Sequence, residues 1–235
     1  MRTALVTGAT GGIGRLLVEG LVGNGYHVIG VARSEGKFGE LKALENFDYI
    51  VVDLREEGAS RLVREGLEEL GIKRLDVLIN NAGFGILKPL LEQTEDELEE
   101  VFRVNTIAPV ALTRELLDLI PKGGKVVMVL SGVVFVNVRG FPSYGASKAA
   151  LHYLSVNLER ELAKKGVILI RVYPKQVSTP FWNGRVPKGA LRPEDVAEAI
   201  LKAIEGGRRE VFVPGYMKFV KYLPRWPVFT YRFKY

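Results

Sequence analysis

The chain has 235 residues, 47% of them hydrophobic, which is enough for one domain with a large core and short for two substantial ones. It has no cysteine and only two histidines, His27 and His152, so disulfide frameworks, thiolate nucleophiles and thiolate zinc sites are excluded and no metal centre is expected. Of the formal net charge of +6, five charges come from Lys218, Lys221, Arg225, Arg232 and Lys234, in a stretch without acids, so a basic tail rather than a nucleic-acid-binding surface is the feature to explain.

The first element, Arg2 to Thr7, is an apolar run that reads as a buried strand. Gly8-Ala9-Thr10-Gly11-Gly12-Ile13-Gly14 follows and opens a helical pattern, with Leu16, Leu17 and Leu21 on one face and Gly25 ending it. A strand turning through glycines into a helix brings backbone N–H groups and the positive helix end to one point, a ready site for a pyrophosphate. The same glycines would also serve a turn needed only for close packing of helix on strand. Val28 to Ala32 is the second strand. The crossover from residue 34 to 47 has room for a short helix only, and Tyr49 to Val52 is the third strand, closed by Asp53-Leu54. Glu56 to Leu70 has the pattern of a helix with Leu62, Val63, Leu67 and Leu70 inward. Val77 to Ile79 is the fourth strand, and Asn80-Asn81-Ala82-Gly83 stands at its carboxyl end, where ligands bind in open parallel sheets.

Thr94 before Glu95-Asp96-Glu97 predicts a helix start, and the helical region runs towards Leu119 with a bend or break at Pro109. Lys125 to Leu130 is the fifth strand and Ser131 follows it. A helix from Ser143 to Lys164, a sixth strand from Val167 to Tyr173, a loop over residues 180–190, a helix from Arg192 to Ile204 and a last strand from Val211 to Val213 complete the order. Apolar rather than alternating strands predict a largely parallel sheet with helices on both faces, an α/β fold. Residues 1–217 are expected to form the domain and residues 218–235 a basic aromatic tail. With no uncharged run long enough to span a bilayer and no leader-like segment before Gly8, a cytoplasmic location is expected.

Tyr144-Gly145-Ala146-Ser147-Lys148 is the sharpest chemical signal. Four residues on a helix bring the Tyr144 hydroxyl and the Lys148 ammonium to one face, where the ammonium would lower the phenol from its usual value near ~10 and permit proton exchange. Ser131, at a strand end, could hold a substrate carbonyl oxygen while Tyr144 protonates it. Asn105 could orient a water beside Lys148. Each residue also has an ordinary reading: a surface Tyr–Lys pair, a strand-end hydroxyl, an interior amide with a local partner. Asp53 could equally cap the turn at Arg55, and His152 reads as a packed or interface histidine.

Taken together, Thr7 to Gly14, Asp53, Asn80-Asn81-Ala82-Gly83, Asn105, Ser131, Tyr144 with Lys148, and Pro174 with Thr179 resemble the classical short-chain dehydrogenases/reductases over residues 2 to about 213. The resemblance implies a single Rossmann-fold domain with a doubly wound, seven-stranded parallel sheet. It implies a catalytic set of Asn105, Ser131, Tyr144 and Lys148, and hydride transfer at nicotinamide C4, usually on its pro-S side. Cofactor contacts are implied for Gly8, Thr10, Gly11, Gly12, Ile13, Gly14, Ala32, Arg33, Asp53, Leu54, Asn81, Ala82, Gly83, Tyr144, Lys148, Pro174, Val177 and Thr179. In that scheme Asp53 bonds the adenine amino group, Asn81 supports the central cofactor site, Lys148 binds the nicotinamide ribose, and Thr179 meets the carboxamide.

Sites that prefer NAD place an acid at the end of the second strand for the ribose hydroxyls, and here Ala32 stands there with Arg33 after it, so NADP(H) is the expected cofactor and NAD(H) the alternative. Lys175 replaces the glycine usual after Pro174, Leu130 the serine frequent before Ser131, and the segment over residues 180–190 is short, with Phe181, Trp182 and Val186 placed to cover an apolar substrate or simply to pack. The partner expected is a small carbonyl or alcohol compound. A non-catalytic dinucleotide-binding scaffold or sensor and a membrane-peripheral reductase of lipophilic substrates remain as alternatives. The tail aromatics call for cover, by a homodimer or homotetramer, by the active site or by a membrane.

Overall fold

The computed structural model describes residues 1–138, 140–182 and 184–222, together with a backbone pairing of residues 137–138 with 228–229. Seven strands, β1 (Arg2–Thr7), β2 (Tyr26–Ala32), β3 (Phe47–Val51), β4 (Val77–Asn80), β5 (Lys125–Val129), β6 (Ile168–Pro174) and β7 (Glu210–Val213), form one sheet in the order β3-β2-β1-β4-β5-β6-β7. Every neighbouring pair is parallel. Successive residues of a strand serve opposite faces, and both faces are packed. In β1, Ala4 and Val6 join a cluster with Leu17, Leu21, Val196 and Ile200, whereas Leu5 joins one with Val63, Leu67, Leu112 and Leu151. Helices α1 (Gly12–Gly23) and α6 (Pro193–Gly206) therefore lie on one face, and α2 (Ala59–Glu69), α4 (Ala108–Glu115) and α5 (Pro142–Lys164) on the other. Sheet growth reverses between β1 and β4, so the loops after these two strands part and open a crevice at the carboxyl edge.

Four expectations change in detail. Leu62 and Leu70 are exposed rather than inward, because α2 starts only after Gly58, at φ 77°, and its buried row is Ala59, Val63 and Leu67. The crossover after β2 holds two 3-10 turns, Glu35–Lys37 and Gly39–Ala43, that bury Phe38 and Leu41. Thr94 caps α3 (Glu95–Phe102) in a full capping box with Glu97, but the break comes ahead of Pro109, as a π turn over Arg103–Ile107. Pro109 then sits in the first turn of α4, where its missing N–H is no loss. Finally, the boundary placed at residue 217 falls inside one 3-10 turn, Gly215–Tyr222. The tail residues Arg225, Arg232 and Lys234 lie outside the described residues.

Candidate active site

The cofactor half of the crevice is assembled by Thr7 and Asn81. The Thr7 hydroxyl accepts from the backbone N–H groups of Asn81 and Ala82, each at 3.0 Å, and donates to Ile79 O at 3.3 Å. Asn81 Nδ2 in turn donates to Thr7 O at 3.0 Å. These bonds tie the ends of β1 and β4 together at the reversal point. The turn between β1 and α1 can exist only with glycine at key positions: a Cβ on Gly14 would lie 2.0 Å from Gly8 O, and one on Gly12 would lie 2.7 Å from Thr179 Cγ2. Thr179 is thus held against the glycine turn, and Pro174, Val177 and Thr179 follow one another along that wall. Helix α1 begins at Gly11 with no side-chain cap and no acid in its first turn, and a Cβ on Gly11 would meet nothing within 4 Å. An uncapped helix start that opens onto free space suits the pyrophosphate of a dinucleotide.

At the adenosine end, Ala32 is buried and Arg33 exposed. Among the described residues Arg33 makes no hydrogen bond or ion pair, because its neighbour Glu35 is taken by Lys42 at 2.7 Å and by the Tyr49 hydroxyl at 2.8 Å. Asp53 is engaged locally: Arg55 donates to its carboxylate from the backbone at 3.0 Å and from Nη2 at 2.7 Å, holding it below its ordinary range, with Arg33 adding a smaller pull. Both readings of Asp53 therefore meet at one carboxylate, and an adenine amino group would share it with Arg55.

The reaction half lies at the ends of β4 and β5. Lys148 is 3% exposed, and its Nζ donates to Val129 O at 2.8 Å. A Cβ on Gly83 would lie 3.3 Å from that Nζ and 3.1 Å from Asn105 Oδ1, so the three positions adjoin. The Asn105 side chain makes three hydrogen bonds: Oδ1 accepts from Phe84 N at 3.0 Å, and Nδ2 donates to Phe84 O at 2.8 Å and to Ser147 Oγ at 3.0 Å. It clamps the loop after β4 onto α5. Ser147 completes this clamp by donating to Tyr144 O at 2.8 Å.

Tyr144 is walled by rings, with Phe181 at 5.1 Å, Phe141 at 6.0 Å, and Trp182 packed against both of these. The expected depression of the phenol is not found. Burial pushes Tyr144 up to about 12, and only a hydrogen bond from Ser131 works the other way. The Lys148 ammonium, turned to the carbonyl at the end of β5, is itself pushed down to about 8 by burial. Ser131 also accepts from Val133 N at 3.2 Å, which fixes its rotamer beside Tyr144.

The crevice thus brings together Asn105, Ser131, Tyr144 and Lys148 on one side and the glycine turn on the other. His152 is packed, with Nδ1 3.1 Å from the Tyr173 hydroxyl and its ring 5.6 Å from Phe135. Ser147 and Thr7 were missed as organising residues. Ser147 stands three residues after Tyr144, a spacing that could have flagged it.

A family model described as short chain dehydrogenase matches residues 2–189. An uncharacterized oxidoreductase of Staphylococcus saprophyticus is 31% identical over 216 residues, covering 87% of this chain and 91% of its own. The NADPH-dependent 3-dehydrocapnine reductase of Ornithobacterium rhinotracheale is 32% identical over 192 residues, covering 78% of this chain and 68% of its own. Among solved structures, a short-chain dehydrogenase from Sphingobium yanoikuyae in complex with NADPH superposes with a TM-score of 0.81 at 26% identity, covering 93% of this chain and 90% of that one. With the sheet order, the glycine turn and the convergent polar residues already in place, these matches settle the class: the chain belongs to the short-chain dehydrogenase/reductase family of NAD(P)-dependent oxidoreductases.

Proposed function

We propose that this protein reduces a carbonyl compound of apolar character with NADPH, Tyr144 giving the proton. The observation that carries the reading is the convergence of the Tyr144 phenol, walled by Phe181 and Phe141, with Ser131 and the buried Lys148 at the carboxyl edge of a dinucleotide-binding sheet. The phenol is protonated through neutral pH, as a proton donor must be; burial makes it a weaker acid than a free phenol, but a developing substrate alkoxide, far more basic, would still take its proton. Bound NADPH would supply the hydride. Ser131 would hold the carbonyl oxygen within reach of the Tyr144 hydroxyl, Phe141 and Phe181 would exclude water, and Lys148 would place a positive charge at the cofactor ribose. Asn105 acts by position, keeping Phe84 and α5 in register.

The preference for NADPH rests on Arg33, exposed and unpaired beside Ala32. A planar guanidinium meeting a 2′-phosphate is worth about 1.5–3 kcal/mol, or roughly ten-fold to a hundred-fold in kcat/KM. The relative named as NADPH-dependent and the neighbour solved with NADPH agree with it. Turnover of ketones, aldehydes and hydroxy compounds with each cofactor tests both halves of the proposal. NADH equal to or better than NADPH defeats the cofactor half, and no turnover of any carbonyl defeats the rest.

We further propose that the enzyme works in the cytoplasm as a homo-oligomer. Helix α5 exposes Tyr153 at 72%, Leu154 at 42% and Val156 at 40%, an apolar face that a second copy would cover. Sedimentation at graded concentrations tests it, and a strict monomer would contradict it.

A further inference from the structure

The turn Gly215–Tyr222 is placed with one side against the reaction site and the other bare. On the inner side, a Cβ on Gly132 would lie 2.7 Å from the Met217 methyl, so the turn rests on the segment that follows Ser131. Residues 228–229 pair with residues 137–138 of the same segment, which brings the chain after the turn back to the rim of the crevice.

On the outer side, Tyr216 is 59% exposed, Phe219 62% and Tyr222 75%. Three large rings facing out from one short turn are not cover for the core of this chain. Cations accompany them: Lys218 Nζ lies 4.9 Å from the Phe219 ring centre and Lys221 Nζ 5.2 Å from that of Tyr222. From Val211 to Tyr235 the sequence has five Lys and Arg and no acid. The acids nearest the turn are paired, Glu210 with Lys221 at 3.1 Å and Arg171 at 3.6 Å, Glu198 with Lys202, and Asp195 with Arg192 at 2.6 Å, so among the described residues Lys218 is the turn's cation without an acid partner. A contact between two copies of this surface would set the Lys218 of one against that of the other, whereas an anionic partner is attracted by both.

Aromatic rings interleaved with lysines, on a surface without free acids, fit the interface of a lipid bilayer, where rings sit at headgroup depth and cations meet anionic headgroups. We propose that the turn Gly215–Tyr222 docks the protein on an anionic lipid surface, beside the mouth of the reaction site. Among the described residues no helix is long and apolar enough to cross a membrane, so the attachment is peripheral and reversible.

The test is co-sedimentation of the full chain with large phosphatidylcholine vesicles, with and without about one-third phosphatidylglycerol, at low and high salt. Wild type should pellet with the anionic vesicles, stay in solution with neutral ones, and be released by salt. The double variant Phe219→Ser with Tyr222→Ser should lose roughly ten-fold or more in partition, since two buried rings are withdrawn from the interface. Lys218→Glu should weaken binding to anionic vesicles alone. None of these three residues belongs to the reaction site, so NADPH-dependent turnover should persist in each variant and report intact folding. Wild type that stays in solution with anionic vesicles overturns the proposal, as does binding unchanged in the double variant. Sedimentation velocity without lipid gives the remaining decision: a smaller assembly for the double variant than for wild type would assign the face to a second copy instead.

Discussion

Replacing Lys148 by methionine should stabilise the protein while destroying its activity. Lys148 is 3% exposed, and burial moves its ammonium from 10.5 to about 8. Keeping it charged at pH 7 therefore costs about 3 kcal/mol of folding free energy. Methionine fills a similar unbranched volume without that cost, but it leaves Val129 O without the bond at 2.8 Å, a loss of about 1–2 kcal/mol. The balance is a gain of about 1–2 kcal/mol at pH 7, or a few degrees in Tm for a chain of this length. The sign has a pH signature. The folded lysine titrates below the unfolded one, so between about pH 8 and 10.5 the unfolded chain holds more protons and wild type gains stability as pH rises. The methionine variant lacks that gain, so its advantage should shrink and vanish within this window and become a deficit of about 1–2 kcal/mol above it. Urea unfolding of both proteins from pH 7 to 10.5 measures the difference. A variant less stable than wild type at pH 7, or a difference that does not change with pH, would refute the reasoning.

Arg33→Ala should lower kcat/KM for NADPH by roughly ten-fold to a hundred-fold and leave NADH unchanged, because only the 2′-phosphate is lost to it; an equal loss for both cofactors would make Arg33 a loop support. Phe181→Ala should raise KM for apolar ketones. By admitting water it should also bring the Tyr144 phenol down from about 12, so the reduction rate, which needs the protonated phenol, should begin to fall at lower pH than in wild type. An unchanged alkaline limb would argue against Phe181 as the wall. Asn105→Ala strands the N–H and C=O of Phe84 and removes the donor to Ser147 Oγ, and should cost about 2–4 kcal/mol by urea unfolding.

The parts of the fold that depend on local pattern were legible in the sequence. Apolar strands bounded by turns gave the seven-stranded parallel sheet, the Thr94 box gave the start of α3, and the glycine spacing at Gly8 to Gly14 located the turn that Asn81 and Thr7 lock in place. Spacing put Ser131 at a strand end and Tyr144 and Lys148 on one helix, and the fold brings these three positions to the carboxyl edge of the sheet. What was not legible depends on contacts far along the chain. The phenol of Tyr144 rises because Phe181 closes over it from a loop thirty-seven residues away, and no spacing rule reports that burial. Lys148 was expected to face the phenol, yet its ammonium is captured by Val129 O on another element. Asn105 bonds both the N–H and the C=O of Phe84, a pairing across twenty-one residues that no spacing rule reports. Leu62 was placed inward by hydrophobicity alone, whereas the buried row of α2 is Ala59, Val63 and Leu67 and Leu62 stands about 100° around the helix from Val63.

The central claim, that Tyr144 is the proton donor of a working reductase, is tested most directly by Tyr144→Phe. The substitution removes one hydroxyl from a wall of rings and little contact area. The decisive measurement pairs NADPH binding by fluorescence with single-turnover oxidation of bound NADPH by an accepted ketone. The account predicts NADPH affinity within about three-fold of wild type and a hydride-transfer rate reduced by roughly a hundred-fold or more. A variant that binds NADPH normally and oxidises it at the wild-type rate would contradict the account.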